Sequence, residues 1–218
     1  GGFDSFQNSS SPQSLALDWL ATDNITLAQD RPTSTLLLER FVVAVLYYST
    51  NGPYWSSNDL NFLSELSVCD WNNQIPSDQE GVVLGILCEN TPSIRQVRLN
   101  DVGLAGTIPW ELSLLVNLQR LDLGANILKG SIPTELADLT MLDFLQVTSN
   151  LLAGTLPTEL QHMTLLTYLD VSGNRLNGTI ASGIGSLTGL TDLQLHNNSL
   201  TGSLPTELGQ LTTLTWLG

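Results

Sequence analysis

A leucine recurs every 24 residues, at Leu118, Leu142, Leu166, Leu190 and Leu214, with Ile94 in the same phase. A fixed period of this length means one supersecondary unit stacked on itself, because a single coil cannot bury its apolar face and must pack it against the next copy. Within each copy the apolar residues follow L-x-x-L-x-L, as in Leu118, Leu121, Leu123 and again in Leu190, Leu193, Leu195. The closing alternation marks a short strand. Three residues later stands Asn126, Asn150, Asn174 or Asn198. A primary amide both donates and accepts, so a stack of them at one bend can satisfy backbone groups that the turn withdraws from the sheet.

Each copy continues with x-L-x-G-x-I/L-P. Glycine at 106, 130, 154, 178 and 202 permits a backbone geometry or close approach that a side chain would obstruct. Proline at 109, 133, 157 and 205 stops the extended piece and starts a helical or 3₁₀ return, which carries Leu112, Leu136, Leu160 and Leu208 inward. Two departures are local: Val102 replaces the Asn in the first copy and Ala181 the Pro in the fourth.

From Ser93 to Gly218 these residues resemble the plant-type extracellular leucine-rich repeat, LxxLxLxxNxLxGxIPxxLxxLxx. The resemblance implies an α/β solenoid, a right-handed superhelix with a parallel concave sheet, closed at its start by a helical cap. The expected plan is a flexible tail over 1–10, the cap over 11–92, and the repeats over 93–218 with the last one incomplete.

The cap should contain two helices. Ser11-Pro12 is a helix start, and Leu15, Ala16, Trp19 and Leu20 share one face of a helix to about Thr22. A second helix is expected from Ser34 to Tyr48, with Leu37, Phe41, Val45 and Tyr48 as its buried stripe and Asn51-Gly52-Pro53 as its stop. Trp55, Cys69-Asp70-Trp71 and Gly85-Ile86-Leu87-Cys88 resemble the N-terminal cap of plant receptor ectodomains. The Leu15 to Trp19 segment and the Tyr47 to Gly52 stretch look closer to diatom versions, which points to an algal origin. Cys69 and Cys88 flank one segment and lack the paired CxxC spacing of a metal site. By themselves they are either a bridge or two buried thiols, and an oxidising compartment favours the bridge. The resemblance implies a disulfide, worth roughly 3 kcal/mol in the chain-entropy picture.

Composition narrows the partners. Charged residues make up 13% of the chain, and 21 acidic against 7 basic residues leave a net charge of −14. Nucleic acid and anionic membranes both require clustered Lys and Arg, so both are disfavoured. No apolar run reaches the roughly 18 residues of a membrane span. Asn-x-Ser/Thr acceptors at Asn8, Asn24, Asn177 and Asn197 permit glycosylation on a secretory route, consistent with an extracellular or cell-surface location. The opening Gly-Gly, without a basic n-region or an h-region, suggests a processed chain or fragment. The last copy stops at Leu217-Gly218, so Leu211, Leu214 and Leu217 are expected to face an uncovered end; further repeats or end-to-end self-association would cover it.

The x positions of LxxLxL point away from the core, over a concave sheet whose strands repeat at about 4.8 Å. One column through the copies reads Gln96, Arg120, Phe144, Tyr168, Asp192, Trp216, and the next Arg98, Asp122, Gln146, Asp170, Gln194. Arg95, Gln119, Asp143, Thr167 and Thr191 stand beside them, and His196 faces the same side. Tyr and Trp are over-represented at binding hot spots, so the aromatic column is the candidate anchor, unless its rings simply stack on one another. Asp122 and Asp170 lie two coils apart, roughly 10 Å by strand spacing, and no pocket is implied, so a glycoside-cleaving pair is not indicated. His162 and His196 sit at unlike repeat positions, which suggests neither a metal site nor a Ser-His-Asp relay; no cofactor is implied. The Gly-rich Ser182 to Gly189 stretch lacks the Lys of a phosphate loop.

The expected function is therefore binding and not catalysis. The resemblance implies a receptor-like ectodomain that recognises a protein, peptide or glycan on its inner curve. The alternative is a secreted inhibitor of wall-degrading enzymes or an adhesive matrix protein. Ice binding is disfavoured, because the threonines do not form a regular two-column array.

Overall fold

A computed structural model describes residues 9–24, 26, 33–57, 60–73, 83–89 and 91–218. Most of the expected tail, including Asn8, lies outside these residues. Twelve strands occur among them: β1 Gly85–Leu87, β2 Gln96–Arg98, β3 Ala105–Thr107, β4 Arg120–Asp122, β5 Ile127–Gly130, β6 Phe144–Gln146, β7 Leu151–Thr155, β8 Tyr168–Asp170, β9 Arg175–Gly178, β10 Asp192–Gln194, β11 Ser199–Leu200 and β12 Trp216–Leu217. They form two sheets. The larger runs β1-β2-β4-β6-β8-β10-β12 and the smaller β11-β9-β7-β5-β3. From β2 onward the larger sheet is parallel with no register slip between full strands, so Leu121 lies beside Leu145 and Leu145 beside Leu169.

The register places the leucine spine in one continuous core. Leu121, Leu145, Leu169 and Leu193 are at most 1% exposed, and the same core runs from Val42 in the cap to Leu211. Of the three leucines expected to face an open end, only Leu217 is exposed; Leu214 is half-buried and Leu211 buried.

The asparagines do what their amides allow. Asn126 donates to the carbonyls of Leu99, Leu123 and Gly124, and its Oδ1 accepts from the Leu104 N–H. Asn150, Asn174 and Asn198 repeat the pattern, each tying its own coil to the one before. Val102 has no amide to offer, and here the coil meets the cap instead, the Ser56 N–H donating to the Val102 carbonyl at 2.8 Å. Five-residue 3₁₀ turns follow Pro109, Pro133, Pro157 and Pro205, and also Ala181, whose φ of −71° and ψ of 149° match the proline geometry without the ring. Gly106 is obligatory for contact with the cap: its φ is 139°, and a Cβ there would sit 2.0 Å from the Ser49 carbonyl oxygen.

The two cap helices are α1 Pro12–Leu20 and α2 Ser34–Ser49, each N-capped by a hydroxyl, Ser11 or Thr33. α1 buries Ala16 and half-buries Trp19 and Leu20, whereas Leu15 lies at the margin of the face and is exposed. α2 is more enclosed than a single stripe allows. Phe41, Val45 and Tyr48 face α1, while Val42, Val43 and Leu46 enter the solenoid core. An amphipathic reading finds one apolar face and misses a helix sandwiched between two partners. Cys69 and Cys88 are joined by a disulfide. β1, unanticipated from the sequence, pairs antiparallel with β2 and covers the edge of the larger sheet.

Buried polar groups bind the cap together. Arg40, fully buried, pairs with Asp23 at 2.6 Å and donates to the carbonyls of Leu66 and Ser64. Its guanidinium carbon lies over both the Trp19 and Trp71 rings, 5.1 and 4.8 Å from their centroids. Glu39 accepts the Ile94 N–H at 3.1 Å, tying α2 to the entry of the first coil.

Candidate functional site

Each of β2, β4, β6, β8 and β10 spends its central residue on the core, so its flanking residues are left on the other face. There the candidate side chains form a pair, Gln96 with Arg98, and beside it a connected row that starts at Arg120. Arg98 is half-buried and donates to Gln96 Oε1 at 2.7 Å. Burial, and secondarily the neighbouring Arg120, pulls the Arg98 pKa below its ordinary value. The Arg120 guanidinium carbon lies 3.4 Å from the Phe144 ring centroid, with an amino group 3.6 Å from Asp122 Oδ2. Phe144 stacks on Tyr168 with centroids 4.3 Å apart and planes within 3°. The Tyr168 hydroxyl accepts from Gln194 at 3.3 Å and donates to Asp170 Oδ2 at 3.5 Å. Burial, then the charge of Asp170, pushes the Tyr168 pKa up.

Of the two alternatives left open by the sequence, the rings of Phe144 and Tyr168 take the stacked one. Their facing sides are occupied by one another, Arg120 lies over the Phe144 ring, and both residues are half-buried. Of the three aromatics in the column, Trp216 alone is largely exposed, at 59%. Asp122 and Asp170 are likewise buried, at 7% and 5%, because each carboxylate folds back to accept the N–H two residues on, from Gly124 and Ser172. Ser172 also donates its hydroxyl to Asp170 at 2.6 Å. These two carboxylates organise the sheet surface and leave Arg98, Arg120, Gln146, Asp192, Gln194 and exposed His196 among the accessible polar groups of the row.

The row has an electrostatic direction. Arg95, Arg98 and Arg120 gather with Asp122 on the two coils nearest the cap, whereas Asp143, Asp170 and Asp192 occupy the next three. A chain with seven basic residues in all places three of them on one patch. Reading the columns one at a time does not reveal this gradient from coil to coil. Of the sequons, Asn177 and Asn197 are exposed, and exposed Asn24 donates its amide to Glu65.

The family described as Leucine Rich Repeat matches residues 117–139, 165–187 and 189–211. Among solved structures, the chain is similar to the ectodomain of the Arabidopsis thaliana receptor kinase GASSHO1/SCHENGEN3, solved with CASPARIAN STRIP INTEGRITY FACTOR 2, at 43% identity and a TM-score of 0.56. That match covers 57% of this chain and 15% of the receptor chain. It is similar to a chain of the Arabidopsis thaliana BIR3–SERK2 complex at 34% identity and a TM-score of 0.54, over 62% of this chain and 74% of that one. It also resembles the BIR2 ectodomain from the same plant at 29% identity and a TM-score of 0.62, covering 78% and 84%. A comparison with curated proteins gives no match. Repeat by repeat and along most of a relative's length, the chain belongs to the plant-type leucine-rich-repeat family.

Proposed function

We propose that this is a ligand-binding extracellular domain of a receptor-like protein, which recognises an extended peptide or protein segment along the inner curve. The observation that carries the reading is the connected row from Arg120 to Gln194, with the Gln96–Arg98 pair beside it. Its side chains are held in place by one another and stand on a sheet of unbroken register, so little conformational entropy remains to be lost on binding. The solved neighbours support the class of partner, since they include the plant peptide hormone receptor RGFR1 in complex with RGF2 and the Arabidopsis receptor kinase HAESA in complex with the peptide hormone IDA. The disulfide supports an oxidising, extracellular setting. Charge complementarity orients the ligand, acidic residues toward Arg98 and Arg120 and basic residues toward Asp192.

A displayed random-peptide library selected on the wild-type protein tests this. Enriched peptides should carry acidic residues on one side and basic residues on the other. They should bind Arg98→Glu or Tyr168→Ala proteins at least about tenfold more weakly, with the unfolding midpoint retained. Library selection without enrichment, or peptides indifferent to both substitutions, would sink the proposal.

A further inference from the structure

A second surface, away from the inner curve, carries its own chemistry. Two open cavities of about 600 and 550 Å³ share Ser131, Ile132 and Thr134 and so form one trough, between the ends of β3, β5 and β7 and the 3₁₀ turns that follow them. Pro12 and Gln13 of α1 and Ser49 of α2 close its cap end. Its lining among the described residues contains no Lys, Arg or His.

The repeats themselves show what is unusual there. The residue after the turn-starting position is Thr134, Thr158, Ser182 or Thr206 in four copies and Trp110 in the first. Four sister turns fold with a small hydroxyl at this place, so the turn does not need an indole, yet Trp110 stands at the trough 40% exposed. The next residue, Glu111, is 2% exposed, whereas the equivalent Glu135 is exposed. Glu111 Oε1 accepts from Gln13 Nε2 at 2.7 Å, and Oε2 is buried with no hydrogen-bond partner. Such an oxygen forfeits about 1–3 kcal/mol that an incoming donor would restore. Among the described residues Gln13, half-buried on the first turn of α1, is the one side chain bonded to this carboxylate.

We propose that the trough binds a neutral oligosaccharide, with a pyranose ring stacked on Trp110 and a sugar hydroxyl donating to Glu111. The lining offers both donors and acceptors beside one aromatic plate, with Thr107, Ser131, Thr134 and Thr155 continuing along the coils. A sugar matches this because each of its hydroxyls both donates and accepts and its C–H face is apolar. A cationic segment offers donors alone and leaves the hydroxyl hydrogens and the Gln13 amide unanswered. An anionic sugar would meet Glu111, Glu135 and Glu159. Coils stacked at about 4.8 Å also present equivalent groups at a spacing comparable to that of successive rings in an extended glycan.

Calorimetric titration with linear neutral β-1,3- and β-1,4-glucan hexasaccharides decides the matter. Wild-type protein should bind one of them with an affinity that hardly changes with salt. Trp110→Thr, which installs the residue of the sister turns, and isosteric Glu111→Gln should each weaken binding at least about tenfold. Both should keep the wild-type unfolding midpoint, and Tyr168→Ala should bind the sugar normally, which separates this surface from the inner curve. Three results would overturn the proposal: no heat with either hexasaccharide, binding undiminished in both trough variants, or capture only of an arginine-rich peptide in a manner lost at high salt.

Discussion

The cap and the coils solve the same packing problem by opposite means. In the asparagine ladder of the coils every bond has a neighbour of the same kind: the Leu123 carbonyl accepts from both Asn126 and Asn150, and the Val147 carbonyl from both Asn150 and Asn174. In the cap the bonds are single-copy. Among the described residues Asp23 is the one carboxylate paired with Arg40, and a Trp19, Trp71, Phe62, Trp55, Tyr47 chain of rings, each about 5–6 Å from the next, has no second version. Repetition distributes stability, and the end of a repeat array must concentrate it.

The largest test of that contrast is Asp23→Ala. Removing one partner of a buried pair strands the Arg40 charge, and the expected loss is about 3–5 kcal/mol in denaturant unfolding. Hydrogen exchange should show the cap opening before the coils. Replacing Cys69 and Cys88 together by Ala should cost about 3 kcal/mol, with protease sensitivity again rising first in the cap. A uniform loss of protection along the chain would mean that cap and coils unfold as one and that the contrast is merely geometric.

Asn150→Ala probes the other side. Its three acceptor carbonyls all retain a second donor: Asn126 for Leu123, Asn174 for Val147, and the Ala125 N–H for Thr148. Only the Leu128 N–H, which donates to Asn150 Oδ1 at 2.9 Å, is left buried and unpaired. The loss should therefore be about 2 kcal/mol, less than the count of bonds deleted suggests. A loss equal to that of Asp23→Ala would remove the idea that the ladder is redundant.

What the sequence disclosed follows the same division. The coils were legible because period, leucine phase and asparagine position state one rule several times, and each copy checks the others. The cap was legible only in outline. Its helices follow from Ser11-Pro12 and from the apolar run after Ser34, but nothing local says that Arg40 is buried, since its partner lies 17 residues earlier and its tryptophans come from both sides. The site was legible as a set of columns and not as a surface. Which residues face the inner curve follows from strand alternation, whereas the stacking of Phe144 on Tyr168 and the burial of Asp122 and Asp170 depend on rotamers. Trp110 had a readable signal, a large ring in a column of small hydroxyls, visible once the copies are aligned on their prolines.

The smallest expected effect lies where the two regions meet. Burial raises the Glu39 pKa, against the opposing pull of its hydrogen bond from Ile94. Between the ordinary carboxylate value and this raised one, the folded protein keeps a proton that the unfolded chain has released. Wild-type stability therefore falls as pH rises through that window. Asp23 has the opposite sign: burial opposes ionisation, but hydrogen bonds from Arg40 and Thr26 outweigh it and lower the pKa. Its contribution is present above the ordinary aspartate value and is lost as pH falls toward the lowered one. Glu39→Gln keeps an oxygen for the Ile94 N–H and removes the buried charge, so at neutral pH it should raise stability by about 0.5–1 kcal/mol. That gain should vanish below the Glu39 window, where the wild-type side chain is itself neutral. A gain that persists at acid pH would assign the effect to packing at the junction, and a loss at neutral pH would show that the junction needs the charge.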